Sequence, residues 1–354
     1  FQLKLIIKKK DEIYFCYRNK SRKIVPVENI QLQKEAKEKL KTIFRKFQKT
    51  IPKEFRDNWE KVKLFNAKGN IEKAHSLILN IKDGAYDLNN KLNHMTGKNW
   101  TIFSCSWFIF NALQKDLKEE RIFSSSSKDH PATYSPTMME DFIRFFTKEG
   151  MKVLDPFAGI GSTLVGCKRT GRVGYGIELN KKYFNIILKR VPEFKNNIIL
   201  GDSRKVKEYF MREKFDFCIS SPPYWNILNR STGNFEKKRN NKSLDIKYSD
   251  CKNDLGNIVN YEIFLDEISK VYFDIYDLLN KGAYIVIIVK NVKKGGKFYP
   301  LAWDISKILS IKYVLKDEKI WIQDKIGLAP YGYPYSWASN ILHHYCIILR
   351  KEHD

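Results

Sequence analysis

Four polar residues stand where short apolar runs end: Asp155 after 151–154, Glu178 after 172–177, Asp202 after 197–201 and Ser221 after 215–220. Runs of that length between helical patterns read as strands of a parallel sheet, whose ligands sit outside the strands' carboxyl ends. Asp155 opens Asp-Pro-Phe-Ala-Gly-Ile-Gly-Ser-Thr (155–163), where small residues let main-chain N–H groups approach a polar ligand ahead of a helix. No Gly-Lys-Ser/Thr follows this loop, and Gly-x-Gly-x-x-Gly is incomplete after Gly161, which disfavours a nucleotide phosphate or a nicotinamide cofactor. Ser221-Pro222-Pro223-Tyr224-Trp225 offers different chemistry, because consecutive prolines fix an extended backbone whose carbonyls can accept from an amine. A strand-terminal acid by itself commonly caps the next helix, and Pro-Pro-Tyr by itself can be a turn. The joint spacing of all four points to a site.

The wording Asp-Pro-Phe-Ala-Gly-x-Gly-Ser-Thr, followed by Ser-Pro-Pro-Tyr-Trp, resembles the amino-methyltransferases of DNA, which use S-adenosylmethionine to methylate adenine N6 or cytosine N4. The resemblance covers residues 128 to 350. It implies cofactor contacts from Asp155, Phe157, Ala158, Gly159, Gly161 and Ser162 to the methionine end, from Glu178 to the ribose, and from Asp202 and Ser203 to the adenine, with Phe157 or Ile177 beside the ring. His130-Pro131-Ala132-Thr133-Tyr134-Ser135-Pro136 resembles a further cofactor motif of the family and adds Pro131 and Thr133. At the catalytic motif the resemblance implies that Ser221 and the Pro222 carbonyl hold the target amino group, with Pro223 stiffening the turn. Tyr224 would stack on a flipped-out base, which must leave the duplex to expose its amino nitrogen. Ser in the first place of that motif points to cytosine N4, with adenine N6 as the alternative. An RNA base methyltransferase and a catalytically silent DNA-binding subunit are the other readings.

These residues need a scaffold, and strand and helix signals alternate after residue 124 as in a doubly wound α/β sheet. Strands are expected over 151–155, 172–178, 197–201, 215–220 and 283–290, and helices over 160–170, 180–191, 203–212 and 261–280. Two late strands, 312–322 and 341–350, suit the antiparallel hairpin that methyltransferases carry at the sheet edge, giving a seven-stranded, mostly parallel, Rossmann-like sheet. Ser124-Ser125-Ser126-Ser127 reads as a linker, which divides the chain into a smaller N-terminal region, 1–123, and a catalytic domain, 124–354. Upstream, alternation over 1–25 reads as a hairpin, and the 28–49 spacing as an amphipathic helix. Further helices are expected over 53–65 and 71–81, so the N-terminal region is expected to be mainly helical.

With 64 Lys and Arg against 40 Asp and Glu, the net charge of +24 favours a polyanionic partner, here double-stranded DNA. Residues 1–100 hold 24 of the bases and 11 of the acids, so the excess is concentrated at the N-terminus. A basic insert at 226–256 follows the catalytic motif, and Trp225, Arg230, Lys237, Lys238 and Arg239 are the candidate nucleic-acid contacts. Six cysteines stand singly without metal-ligand spacing, and the six histidines form no zinc pattern, so no metal is implied and reduced thiols in a cytoplasm are expected. The longest apolar stretch, 283–289, is strand-sized, so no membrane partner is expected. A restriction endonuclease or other defence-system subunits are the further partners implied. The chain opens on Phe1 and not Met, which leaves room for an upstream segment.

Overall fold

A computed structural model describes residues 3–8, 13–18, 24–26, 59–65, 76–81, 84–111, 116, 134–226, 254–324 and 327–353. They divide into two units, Phe1–Ser104 and Cys105–Asp354.

The first unit carries strands β1 (Leu3–Lys8), β2 (Ile13–Arg18), β3 (Ile24–Pro26), β4 (Trp59–Phe65), β5 (Ser76–Ile81) and β6 (Gly84–Asp87). They form one antiparallel sheet in the order β3-β2-β1-β4-β5-β6. The expected hairpin is β1 with β2, in register Leu5↔Phe15. The mainly helical region is corrected, since β4 and β5 occupy two of the expected helices. Val62 and Leu64 in β4, and Leu77, Leu79 and Ile81 in β5, stand at every second position, and pairing Val62↔Leu79 and Leu64↔Leu77 uses that period of two. Helix α1 (Gly97–Phe103), capped by Thr96 accepting from the Asn99 N–H, ends this unit. The helix expected over 28–49 lies outside the described residues.

The second unit is built on an eight-stranded sheet of β7 (Trp107–Ile109), β8 (Lys152–Asp155), β9 (Val173–Glu178), β10 (Ile198–Leu200), β11 (Phe215–Ser220), β12 (Leu279–Val289), β15 (Val314–Ile322) and β16 (His343–Arg350). The order is β10-β9-β8-β11-β12-β16-β15-β7. Strands β10 through β12 are parallel, β16 runs against β12, and β15 runs against β16. This is the expected Rossmann-like, mostly parallel sheet, with one strand more than the seven expected. The extra strand, β7, adds in parallel to the edge of β15. Three residues, Trp-Phe-Ile, are too short to announce a strand.

Helices α2 (Pro136–Phe146), α3 (Ser162–Thr170), α4 (Lys181–Arg190), α5 (Val206–Tyr209), α6 (Tyr261–Leu278) and α7 (Leu301–Leu309) accompany the sheet. Ile285 through Val289 are all 0% exposed, as a central strand covered on both faces requires, so that run is apolar throughout and does not alternate. Helix α6 starts at Asn260, whose side chain accepts from the Ile263 N–H, and buries Phe264, Ile268, Val271, Tyr272 and Ile275 on one stripe. On the neighbouring strand, a Cβ at Gly174 would stand 2.8 Å from Leu164 Cδ2, so glycine lets α3 ride directly on β9.

Topology decides where a ligand can bind. From β8 the chain moves outward to β9 and β10, then returns to β11 on the other side of β8. The crevice of a doubly wound sheet opens at this reversal, above the carboxyl ends of the two strands on either side of it. Pairing Phe217↔Val153 and Cys218↔Leu154 brings Asp155 and Ser221, 66 residues apart in sequence, to that crevice.

Candidate active site at the carboxyl edge of the sheet

A pocket occupies the crevice, lined on one side by residues 155–160, Ser162 and Thr163, and by Ile177–Asn180 and Tyr183. Its other walls are Asp202, Ser203, Ser220, Ser221, Pro223 and Ile288, together with Tyr134, Met139, Asp254 and Leu255. Of the expected cofactor contacts, Asp155, Phe157, Ala158, Gly159, Ser162, Glu178, Asp202 and Ser203 line it. Gly161 does not: its φ of +86° makes it the left-handed cap of α3, and a Cβ there would press on Ile187, 3.1 Å away. Glycine at 161 therefore serves the turn and the contact with α4, not the space for a ligand. Pro131 and Thr133 lie outside the described residues.

Four carboxylates face this space, from Asp155, Glu178, Asp202 and Asp254, and no Lys, Arg or His lines it among the described residues. Asp155 is 4% exposed; its carboxylate accepts from the Phe157 N–H at 3.1 Å and from the Thr163 hydroxyl. Burial nonetheless dominates and pushes it up to about 7. Glu178 is held by both oxygens, accepting from the Gly159 N–H at 2.8 Å and the Asn180 N–H at 2.7 Å. Burial, reinforced by the charges of Asp155 and Asp254, raises it to about 8 against those hydrogen bonds. Each oxygen keeps a further lone pair. Asp202 caps the turn that follows it, accepting from the Arg204 N–H at 3.0 Å, and the Arg204 guanidinium reaches its oxygens at 2.6 and 3.1 Å while also contacting Glu267 at 3.0 Å. Ser203 donates to the Pro156 carbonyl and ties the turn after β10 to the loop after β8. Among the described residues the buried Ser162 hydroxyl has no hydrogen-bond partner.

Ser221 lies at the pocket's rim, and its hydroxyl is part of a chain. It is 2.9 Å from the Ile288 carbonyl, an acceptor only, so Ser221 donates there. The same hydroxyl can instead donate to the Tyr224 hydroxyl oxygen at 3.0 Å, and that oxygen stands 2.8 Å from the Tyr134 hydroxyl. Donating to either partner leaves the lone pairs of Ser221 Oγ open to an outside donor. Burial raises Tyr224 to about 12, so it stays protonated at neutral pH.

Two expectations at this motif change. Tyr224 is 7% exposed, with its ring 5.8 Å from His344, so what it offers the site is a hydroxyl and not an open stacking face. Trp225, expected to meet nucleic acid, is 4% exposed and packs on Tyr299 and Tyr261 at 4.7 and 5.1 Å, with Lys294 over its ring at 4.2 Å. Pro222 is buried and Pro223 half-buried, as a turn that seats Ser221 requires. Arg230, Lys237, Lys238 and Arg239 lie outside the described residues.

A model of the DNA methylase family matches residues 4–189 of the 354, just over half of the chain. The chain belongs to that family. The Type II methyltransferase M.HindIII of Haemophilus influenzae is 32% identical over 127 residues, 35% of this chain and 41% of that protein. A tRNA (guanine(10)-N2)-dimethyltransferase of Methanocaldococcus jannaschii is 28% identical over 155 residues, 38% of this chain and 42% of that enzyme. The chain thus spans less than half the length of these curated relatives. Among solved structures, TrmN from Thermus thermophilus is similar at a TM-score of 0.41 and 14% identity, over 66% of this chain and 53% of that one.

In this family member several pocket residues carried no usable signal in sequence. Tyr134 sits inside the 130–136 stretch singled out, yet a tyrosine hydroxyl 90 residues from Tyr224 could not be paired with it without the fold. Asp254 and Leu255 close the basic insert, where nothing in Asn-Asp-Leu-Gly marks a pocket wall. Asn180 was more legible: it follows the strand-terminal Glu178 and caps α4 by accepting from the Lys182 N–H.

Proposed function

We propose that the chain is an S-adenosylmethionine-dependent amino-methyltransferase of DNA. The observation that carries this reading is a pocket with four carboxylates and no lining base, two of them raised well above their usual range, with Ser221 at its rim. Such a pocket suits a cationic ligand, whose charge would favour the ionised forms of Asp155 and Glu178. Asp155 and the loop to Ser162, including that residue's unpartnered hydroxyl, would hold the methionine end. Glu178 would take the ribose hydroxyls, while Asp202 and Ser203 would meet the adenine. Bound there, the sulfonium supplies an already activated methyl group.

The protein's own work is placement. Ser221 Oγ, oriented by the Ile288 carbonyl and the Tyr224 hydroxyl, accepts one amino hydrogen of the target base, and the Pro222 carbonyl accepts the other. The nitrogen lone pair is thereby turned toward the pocket, and alignment of the reactants supplies most of the rate without a strong general base. Cytosine N4 is the first assignment, from Ser221 in the leading position, and adenine N6 is the alternative. Double-stranded DNA is the substrate proposed, with a restriction endonuclease or defence subunits as partners. The basic regions 1–123 and 226–256 would supply phosphate contacts.

The similarity to a tRNA enzyme supports a second reading, an RNA base methyltransferase. Offering radiolabelled S-adenosylmethionine with duplex DNA and with tRNA separates the two. Label in DNA alone supports the proposal, label in tRNA alone transfers it to RNA, and label in neither leaves the silent DNA-binding subunit.

A further inference from the structure

Strand β15 runs parallel to β12, so the connection from β15 to β16 leaves the sheet at the same carboxyl edge as the pocket. That connection is rich in exposed rings. Tyr331, Tyr333, Tyr335 and Trp337 are 60%, 81%, 94% and 88% exposed, and Gly332, Pro334 and Ser336 between them are too small to shield them. Aromatic side chains usually bury most of their large area, so four exposed together form an apolar patch of the kind that marks an interaction surface.

The loop is anchored at its base. Ala329 and Asn340 exchange two hydrogen bonds, 3.0 and 2.9 Å long, and Lys293 Nζ donates to the Ser339 carbonyl at 2.7 Å and approaches its hydroxyl at 2.9 Å. Lys293 belongs to a hairpin of β13 (Val292–Lys294) and β14 (Lys297–Tyr299), which follows β12 at the same edge. The hairpin adds half-exposed Phe298, 6.2 Å from the half-exposed Trp303. The 290–303 segment contains Lys290, Lys293, Lys294 and Lys297 and no Asp or Glu, and 327–342 contains no Asp or Glu either.

We propose that these two segments form a stacking surface for unpaired nucleobases of a single-stranded stretch of nucleic acid, separate from the pocket that takes the reacting base. The occupant follows from chemistry: flat exposed rings match flat bases, and segments that together carry lysines and no Asp or Glu match a phosphate backbone. Place supports it as well, because Ser221 bonds the Ile288 carbonyl and the lysine-rich segment begins two residues later at Lys290. This rests on reading Ser221 to Tyr224 as an amino-transfer site on nucleic acid, and it adds a way to hold bases left unpaired beside it.

The test uses the full chain, oligothymidylate, low salt and no cofactor. Tryptophan emission should be quenched on titration, and Tyr333→Ala/Tyr335→Ala/Trp337→Ala should weaken binding about tenfold or more at an unchanged melting temperature. The Tyr333→Phe/Tyr335→Phe/Trp337→Phe variant should restore most of the affinity. An alanine variant that binds oligothymidylate as wild type does would overturn the inference, as would wild type preferring phosphatidylserine vesicles, which would assign the rings to lipid. Failure here with methyl transfer intact removes only this surface, whereas ring-dependent binding without any transfer removes only the reading of Ser221.

Discussion

Asp155 and Glu178 sit where burial penalises their own charge, and that couples both stability and ligand affinity to pH. In the unfolded chain both lose their protons near pH 4, while in the fold they hold them up to about 7 and about 8. Over that window the folded state binds more protons than the unfolded one, so stability without ligand falls as pH rises. A cationic ligand favours the ionised forms. Affinity for S-adenosylmethionine should therefore rise from pH 6 to pH 7.5 with release of protons, which calorimetry in buffers of different ionisation enthalpy measures; a flat profile would mean that these carboxylates do not face the cation. Glu178→Gln, which keeps an acceptor for one N–H, should weaken binding by about 1.5–3 kcal/mol and blunt the pH dependence. At the rim, the hydroxyl chain changes what Tyr224 is for. Tyr224→Phe and Tyr134→Phe should each slow transfer about twofold to tenfold with little change in cofactor affinity, the cost of one hydrogen bond that orients Ser221. Wild-type kcat in Tyr224→Phe would return the residue to a purely packing role.

At the scale of elements, the site exists because β8 and β11 are neighbours at the reversal of strand order. The close seat of α3 on β9 fixes the loop between them. Gly174→Ala should cost about 1–3 kcal/mol in denaturant unfolding, since the added methyl meets Leu164 at 2.8 Å and Phe194 at 3.2 Å. A loss within error would show that the helix can shift. Sequence served well where one period ran long enough or a polar residue punctuated a strand: β8, β9, β10 and β11 all end at or within two residues of Asp155, Glu178, Asp202 and Ser221. It failed where an element was short, as with β7, β13 and β14, or where alternation was mixed with lysines, as in β4. Pairing partners are long-range, so Val62↔Leu79 was not visible in either strand alone. The hydroxyl chain was hidden for the same reason: Tyr134, Tyr224, Ser221 and Ile288 come from four separate segments.

For the whole molecule the governing contrast is charge. A chain of net +24 encloses a pocket lined by four carboxylates, a contrast that fits the proposal of a polyanion outside and a cation within. DNA affinity should fall steeply with added salt, and neutralising Lys237, Lys238 and Arg239 together should flatten that slope. A slope equal to wild type would remove the 226–256 insert from the phosphate contacts. Among the described residues no helix is long and apolar enough to cross a membrane, and no His, Cys, Asp and Glu cluster could hold a metal ion.

The most direct test of the central claim asks which atom receives the methyl group. Duplex DNA incubated with the chain and isotopically labelled S-adenosylmethionine is digested to nucleosides and analysed by mass spectrometry, with Ser221→Ala alongside. The account predicts label on an exocyclic nitrogen, N4 of cytosine first and N6 of adenine otherwise, and a sharp loss of it in Ser221→Ala. Label on a ring carbon, or undiminished label without the Ser221 hydroxyl, would contradict an amine held at Ser221 and the Pro222 carbonyl.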